Sequence, residues 1–277
     1  MGATLEEPLK LTEHAEEKDW NRKESALRPF YISFLIAGVA LSIVYFLHEY
    51  YPVQVAAISN VVPSICAFVG FVTALQNARR YGFRLRDRNY DRIWFGFTLG
   101  SLFWIFAETS WAVYYFSGVA VPYPGVPDIF YLAAYIPIAL SVLLYFRSFS
   151  RALTPIRKVL SIGAIAFSVS LVLSVVVPIE FSTPKPAMTT FTDLTYPAAD
   201  LILLSLTILS LAIFFGGSMG KWWTILTVAI ILDIIGDELF LYQVAAGTYY
   251  NGGLDDLIYV WAYLLVGLAY VVHKKEL

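Results

Sequence analysis

The sequence predicts an all-α integral membrane protein of about eight transmembrane helices, arranged as two parallel four-helix repeats. Three observations lead to this prediction: the composition, the spacing of apolar runs and an internal duplication. Of the 277 residues, 58% are hydrophobic and 14% are charged, and the mean hydropathy is +0.66. Since soluble domains carry about 25% charged residues, the lipid bilayer is the expected surrounding of this chain.

Eight apolar runs are long enough to cross a bilayer, which takes about 20 residues of helix. They lie at 29–50, 54–80, 92–117, 127–149, 156–178, 194–216, 221–246 and 255–273. The run 54–80 is the weakest of these, because Pro63 lies inside it and Gln76 and Asn77 shorten its apolar part. Without it the count would be seven.

The chain divides into three parts on this basis. Residues 1–28 are polar, mixed in charge and unlike a signal peptide, which predicts a frayed or surface helix in the cytoplasm. Residues 29–150 form the first four-helix repeat and residues 151–277 the second.

Basic residues fall in alternate connections, which predicts the orientation because cytoplasmic loops keep an excess of Lys and Arg. The cations of these connections are Arg22, Lys23, Arg28, Arg79, Arg80, Arg84, Arg86, Arg88, Arg92, Arg147, Arg151, Arg157, Lys158, Lys221, His273, Lys274 and Lys275. In the other connections Lys185 is the only cation. Both termini are therefore predicted to be cytoplasmic, in the plasma membrane, and an even number of helices makes the two halves parallel.

The duplication is visible where Gly125-Val-Pro-Asp-Ile-Phe-Tyr-Leu-Ala-Ala-Tyr135 reappears as Gly253-Leu-Asp-Asp-Leu-Ile-Tyr-Val-Trp-Ala-Tyr263. The match pairs Asp128 with Asp256, Tyr131 with Tyr259 and Tyr135 with Tyr263 as equivalent positions. Each copy of the motif thus has an Asp near the start of a predicted helix.

Acidic residues inside the predicted helices are the main functional signal, since a charge in hydrocarbon costs at least about 2.5–3.5 kcal/mol. Glu108 lies about nine residues, roughly 13 Å, from the outer end of its helix. Its predicted counterpart is Asp237, which shares a helical face with Asp233. Asp200 lies seven residues after Asp193. No Lys or Arg within the membrane is available to neutralise them, so the cluster either holds protons or binds a cation.

Aromatic residues surround these acids, and some are expected to line an outward-facing pocket in which rings hold an organic cation. The predicted ligand-binding set is Glu108, Trp111, Tyr115, Asp128, Tyr131, Tyr135, Asp200, Asp233, Asp237, Tyr242, Asp256, Tyr259 and Tyr263. Two structural readings compete with this one. The Asp residues that precede apolar runs can be helix caps, and many Tyr and Trp residues can belong to the interfacial belt.

The sequence lacks the residues that several kinds of membrane-protein chemistry require. Every Lys lies in a loop or tail, which excludes retinal; His14, His48 and His273 are isolated, which excludes paired-histidine haem; and the single Cys66 rules out an intramolecular disulfide. We expect no cofactor and no nucleic-acid partner, while the identity of any metal stays open.

One family resemblance is carried by Trp104-Ile-Phe-Ala-Glu108-Thr-Ser-Trp111 and Pro122-Tyr-Pro-Gly-Val-Pro-Asp-Ile-Phe-Tyr131. These segments resemble the polytopic membrane sensor region found N-terminal to bacterial diguanylate cyclases and histidine kinases, with Gly125 in place of the usual Ser. The resemblance covers roughly 30–273 and implies a sensory membrane module. No output domain follows helix 8 within the 277 residues, so the module is expected to stand alone and to signal through a cytoplasmic protein in trans; homodimerisation is left open.

A second resemblance points to another class. Ile235-Gly-Asp-Glu-Leu-Phe-Leu-Tyr242 is similar to the Gly-Asp-x-x-Leu helix of lysoplasmalogenase-type hydrolases, which implies intramembrane acids that activate water. The expected His in helix 8 does not follow. The hypotheses are therefore a sensory or ligand-binding module, an intramembrane lipid hydrolase that uses paired acids, and a cation- or proton-coupled transporter, the first being preferred over an enzyme.

Overall fold

The computed structural model describes residues 6–82, 89–182, 184–217 and 219–276, with side chains at 22 and from 24 onward. Within these residues the protein consists of eight α-helices and one 3₁₀ turn, Ser150–Ala152, and contains no strand. The helices are α1 Glu6–Phe46, α2 Pro52–Tyr81, α3 Asn89–Phe116, α4 Val126–Phe149, α5 Pro155–Glu180, α6 Ala187–Phe214, α7 Gly220–Ala246 and α8 Leu254–Glu276. The all-α prediction is confirmed, and so is the doubtful helix through Pro63.

Six of the helices are long and apolar enough to cross a membrane: α1 from Glu24, α2, α4, α5, α6 and α8. Helices α3 and α7 are equally long, at 28 and 27 residues, but are not among these six. They carry Glu108 and the trio Asp233, Asp237 and Glu238, and each acid lowers the hydropathy of its helix. The fold is therefore that of a multi-helix membrane-type protein in which the acids of these two helices need protection from lipid.

Two predicted boundaries are wrong. Helix α1 begins at Glu6, so most of the polar N-terminal segment continues into the first helix instead of preceding it. Helix α6 begins at Ala187, directly after Pro186, seven residues before the predicted start. Asp193 consequently lies within α6 and cannot be its cap. The predicted loop cations Arg84, Arg86 and Arg88 lie outside the described residues.

Six helices form a closed ring in the order α2, α3, α4, α6, α7 and α8, with α8 returning to α2. Helix α1 packs outside the ring on α8, and α5 packs outside it on α6 and α7. Accordingly, 67% of the apolar stretch of α8 is buried, against 11% in α1 and 17% in α5. The two halves join through α4 on α6 and α8 on α2, which are equivalent contacts when the predicted repeats are exchanged.

Close helix contacts depend on glycine at two positions. A Cβ atom on Gly96 of α3 would lie 2.1 Å from Ser141 Oγ of α4, and one on Gly236 of α7 would lie 2.7 Å from the Tyr259 ring of α8. Because no other residue leaves this space, α3 lies tightly on α4 and α7 on α8. The two acid-bearing helices are thereby fixed against the two helices that carry the repeated tyrosines.

The connections fall at two ends of the bundle. The end that carries the described connections 47–51, 117–125, 181–182, 184–186 and 247–253 is called the cavity end. The opposite end, called the basic end, carries Arg79, Arg80, Arg147, Arg157, Lys221, Lys274 and Lys275. There, Arg80 donates to the Lys274 carbonyl at 2.7 Å, and Arg157 donates to the carbonyls of Ala212, Ile213 and Phe215 at the end of α6.

Candidate functional site

A cavity of about 740 Å³ opens at the cavity end of the helix ring. Its wall is formed by α2, α3, α4, α6, α7 and α8, with the connection around Ala120 and Tyr123 at its mouth. This volume lies in the range that holds small organic molecules, which is roughly 300–1,000 Å³.

Most of the predicted site residues lie on this wall. They are Glu108, Trp111, Tyr115, Asp128, Tyr131, Tyr135, Asp233, Asp237, Asp256, Tyr259 and Tyr263. Asp200 lies directly behind the wall, where it binds Tyr135. Tyr242 is the exception: it is 57% exposed on the outside of the bundle, because it follows Asp233 by nine residues and therefore points to the opposite face of α7.

Glu108 is the acid that joins the two predicted repeats. Its Oε1 atom accepts hydrogen bonds from the Tyr131 hydroxyl at 2.8 Å and from the Tyr263 hydroxyl at 2.6 Å. Tyr131 belongs to α4 of the same repeat, whereas Tyr263 belongs to α8 of the other. The carboxyl is therefore buried but well supplied with donors.

Asp237 repeats half of this arrangement. Its Oδ1 atom accepts from the Tyr259 hydroxyl at 2.5 Å, so the pairs Tyr131–Glu108 and Tyr259–Asp237 are equivalent in the two repeats. Asp200 of α6 accepts from the Tyr135 hydroxyl at 2.5 Å, and its carboxyl lies beside that of Asp237. This bonding pattern agrees with the duplication that the sequence motif indicates.

Two of the predicted ligand-binding acids are helix caps. Asp128 accepts from the Gly125 backbone N–H at 2.7 Å, and Asp256 accepts from that of Gly252 at 2.6 Å. Asp128 also accepts from the Tyr196 hydroxyl at 2.9 Å, which ties α4 to α6. The competing structural reading therefore accounts for both caps, although both side chains remain on the cavity wall.

Asp233 differs from all of these acids. It lies on the cavity wall at the midpoint of the 27-residue helix α7 and is 8% exposed. Among the residues that the structure describes, its carboxyl has neither a hydrogen-bond donor nor a cation in contact, and the charged groups that act on it are the acids Asp200, Asp237 and Glu108. Like charges around a buried carboxylate destabilise it, so a bound cation would stabilise this part of the cavity.

The mouth of the cavity holds a small ionic cluster that the predicted site did not include. Lys185 Nζ donates to Glu180 at 2.6 Å and to Asp193 at 2.7 Å, and the Tyr123 hydroxyl also donates to Asp193. Burial works against the charge on Lys185, but these hydrogen bonds outweigh it and raise the pKa of the ammonium above its usual value. Burial and the bond to Asp193 likewise raise the pKa of the Tyr123 hydroxyl, which keeps it a donor.

The only signal for this cluster in the sequence is that Lys185 is the single cation of the cavity-end connections. Its partners could not be identified, because Glu180 ends α5 and Asp193 lies within α6. Polar amides on the wall, such as Asn60 donating to Asn251 at 3.1 Å, gave no signal at all. The carboxyls of Glu180 and Asp193 hold Lys185 at the mouth, so this cation does not neutralise Asp233 deeper in the cavity.

The acids do not converge on one point. In the described part of the chain, no group of three His, Cys, Asp or Glu side chains is arranged to hold a metal ion. Calcium takes six or more oxygen ligands at about 2.3–2.6 Å. A spread set of carboxyls in a large, mainly apolar and aromatic cavity suits a larger cation.

Below the cavity, toward the basic end, buried aromatic side chains fill the bundle. This aromatic plug consists of Trp94, Tyr145, Trp222, Trp223, Tyr270 and His273. The rings of Trp94 and His273 are 4.5 Å apart and those of Trp222 and Trp223 are 4.2 Å apart. The prediction for His273 is wrong, since it is fully buried in this plug and does not belong to the basic tail.

No protein-family model, curated protein or solved structure matches the chain. Fold and site thus define only a class: an all-helical, membrane-type protein whose helix ring encloses an acidic and aromatic cavity that is open at one end.

Proposed function

We propose that the protein is a multi-pass membrane sensory module that binds a small organic cation in its cavity. The observation that carries this proposal is the unpartnered carboxyl of Asp233 at the cavity floor. Burying a carboxylate without a partner costs several kcal/mol, and a bound ammonium group would offset that cost. Glu108 and Asp237, beside it, add attraction for the same charge.

An organic cation fits better than a metal ion. The volume of about 740 Å³ is far larger than a bare ion needs, and much of the wall consists of rings and aliphatic groups such as Trp111, Phe240 and Leu241. Apolar surface of this kind suits the carbon skeleton of a ligand, while the acids suit its charge.

The charge distribution supports an orientation with the basic end in the cytoplasm and the cavity facing outward in the plasma membrane. Helices α7 and α8 each run from the cavity to the aromatic plug, with Asp237 and Tyr259 at one end and Trp222 and His273 at the other. A shift of these helices on ligand binding would reach the basic end, where a signalling protein in trans would respond. This is the role that the resemblance to bacterial sensor regions implies.

The aromatic plug favours a binding module over a transporter. Alternating access requires a path from the site to both faces, and the fully buried rings of Trp94 and Trp222 fill the way to the basic end. A transporter would have to separate this packing in each cycle.

An intramembrane lipid hydrolase is the second candidate, favoured by the adjacent carboxyls of Asp200 and Asp237. Two acids held together can serve as acid and base toward a water molecule. Release of aldehyde from a vinyl-ether lysophospholipid, lost in both Asp200→Asn and Asp237→Asn, would support this function.

A thermal-shift experiment on the purified protein tests the binding proposal. Tetramethylammonium, methylammonium, sodium and calcium chlorides are compared at equal ionic strength, with Asp233→Asn beside the wild type and Glu49→Gln as the control. Glu49 is an exposed acid at the same end of the bundle but outside the cavity. We expect at least one organic cation to raise the Tm in a saturable manner for the wild type and Glu49→Gln, and not for Asp233→Asn. An equal response of all three proteins would overturn the proposal.

A further inference from the structure

We infer that the cavity floor selects a quaternary ammonium group, a nitrogen that carries only carbon substituents, over a primary ammonium. The inference rests on the proposed function, since it names the head group of the cation that Asp233 would hold. It is drawn from the rings that surround this carboxyl.

Four aromatic side chains of the cavity wall lie at the level of Asp233. Tyr135, Tyr259 and Tyr263 are within electrostatic range of its carboxyl, and Trp104 packs on Tyr263 with ring centroids 5.5 Å apart. The rings of Tyr259 and Tyr263 are stacked at 6.5 Å. These four residues are called the ring cage.

The hydroxyls of the ring cage are already in use. Tyr135 donates to Asp200, Tyr259 to Asp237 and Tyr263 to Glu108. Because each hydroxyl is held by a carboxyl, the tyrosines offer a ligand their rings and not their hydroxyls. Ring faces attract cations through their quadrupole.

The duplication explains how an acid and a tryptophan come to lie on opposite parts of one cavity wall. Asp233 lies four residues before Asp237, and Trp104 lies four residues before Glu108, the counterpart of Asp237. The two repeats thus place an acid and an indole at equivalent positions on opposite parts of one cavity wall. A negative group on one side and a ring face on the other is the combination that holds quaternary ammonium ligands.

A primary ammonium has a different requirement. It carries three N–H donors and needs several short acceptors that converge on one nitrogen. The acids of the described cavity wall do not converge in groups of three, and Glu108 Oε1 is already occupied by two tyrosine hydroxyls. A quaternary ammonium has no N–H group and needs no hydrogen-bond acceptor, because attraction to a carboxylate and contact with aromatic rings suffice to bind it.

Calorimetric titration of the full-length protein with tetramethylammonium chloride and with methylammonium chloride tests the inference. We expect tetramethylammonium to bind about 10-fold more tightly, the size of effect that about 1.4 kcal/mol of cation–π attraction gives. Trp104→Leu should bring the two affinities within about 2-fold, and Trp104→Phe should give an intermediate ratio. Trp261→Leu, which changes a tryptophan in the α1–α8 contact outside the cavity, is the control and should keep the wild-type ratio.

The outcomes separate the inference from the proposed function. Equal affinities, or tighter binding of methylammonium, would overturn the quaternary selection and leave the organic-cation site standing. Binding of neither cation would overturn the proposed function itself. If Trp104→Leu does not fold, Trp104→Phe decides: a narrowed ratio supports the ring cage, and an unchanged ratio contradicts it.

Discussion

The cavity and the aromatic plug share helices α3, α4, α7 and α8, yet their aromatic residues make different contacts. Around the cavity, tyrosine hydroxyls bind carboxyls and the rings enclose open space. In the plug, rings of Trp94, Trp222 and Tyr145 pack directly on one another. Dry packing stabilises the bundle, whereas the cavity keeps costly polar groups and an open volume that add nothing to stability.

The plug residues stabilise the fold, whereas we expect some of the cavity residues to serve ligand binding. Within the cavity, a similar difference separates Glu108, which is hydrogen-bonded by two tyrosines, from Asp233, which is not. A structural acid and a binding acid should respond to substitution with opposite signs.

The largest expected effect lies in the plug. Trp222 is 0% exposed, so Trp222→Ala should lower the free energy of unfolding by about 3–5 kcal/mol, as large-to-small core substitutions do. Unfolding in mixed micelles with increasing SDS measures this. Phe167→Ala on the outer face of α5 is the control and should change stability little; a loss below about 1 kcal/mol for Trp222→Ala would show that the plug is not the stabilising region.

Glu108→Leu should give the next largest effect, a loss of about 2–4 kcal/mol in the same assay. The leucine leaves the hydroxyls of Tyr131 and Tyr263 without their acceptor, and each buried orphan costs about 1–3 kcal/mol. Glu108→Gln keeps an acceptor oxygen and should retain most of the stability. Equal losses for Gln and Leu would mean that the hydrogen bonds are not what Glu108 contributes.

Asp233→Leu should move stability in the other direction. Since no donor or cation in the described structure contacts this carboxyl, its removal should leave the unliganded protein unchanged or more stable by about 1–2 kcal/mol, with loss of any response to organic cations. A destabilisation comparable to that of Glu108→Leu would show that Asp233 stabilises the fold as Glu108 does, which contradicts its assignment as a binding acid.

The smallest effect is expected at the mouth, where Lys185→Met should cost about 1 kcal/mol or less. Because the folded-state pKa of Lys185 is raised above 10.5, its contribution is complete below the unfolded-state pKa and is lost as the pH rises through the folded-state value. The Tm difference between wild type and Lys185→Met should therefore be constant from about pH 6 to about pH 9 and shrink only above about pH 10.5. A difference that already disappears near neutral pH would contradict the ion cluster with Glu180 and Asp193.

The sequence predicted the eight helices, and most of the residues that it proposed for the site lie on the cavity wall, because hydropathy marks long apolar segments and buried acids stand out within them. The repeated motif also identified the equivalence of Glu108 and Asp237, which their bonds to Tyr131 and Tyr259 support. The orientation with both termini in the cytoplasm stays a prediction.

Other features depend on tertiary packing and could not be predicted. The ring order, with α4 on α6 and α8 on α2, is set by which helix faces fit together, and hydropathy does not encode it. For the same reason His273, beside two lysines in the sequence, is buried by the helices around it. Tyr242 was misplaced because its proximity to Asp237 in sequence was given more weight than its angle on the helix.

A structure of the protein with tetramethylammonium bound tests the central claim most directly. We expect density for the ligand at the cavity floor, in contact with the Asp233 carboxyl and within about 6 Å of the Trp104 ring centroid. Density at the mouth beside Lys185, or an empty floor at saturating tetramethylammonium, would contradict it.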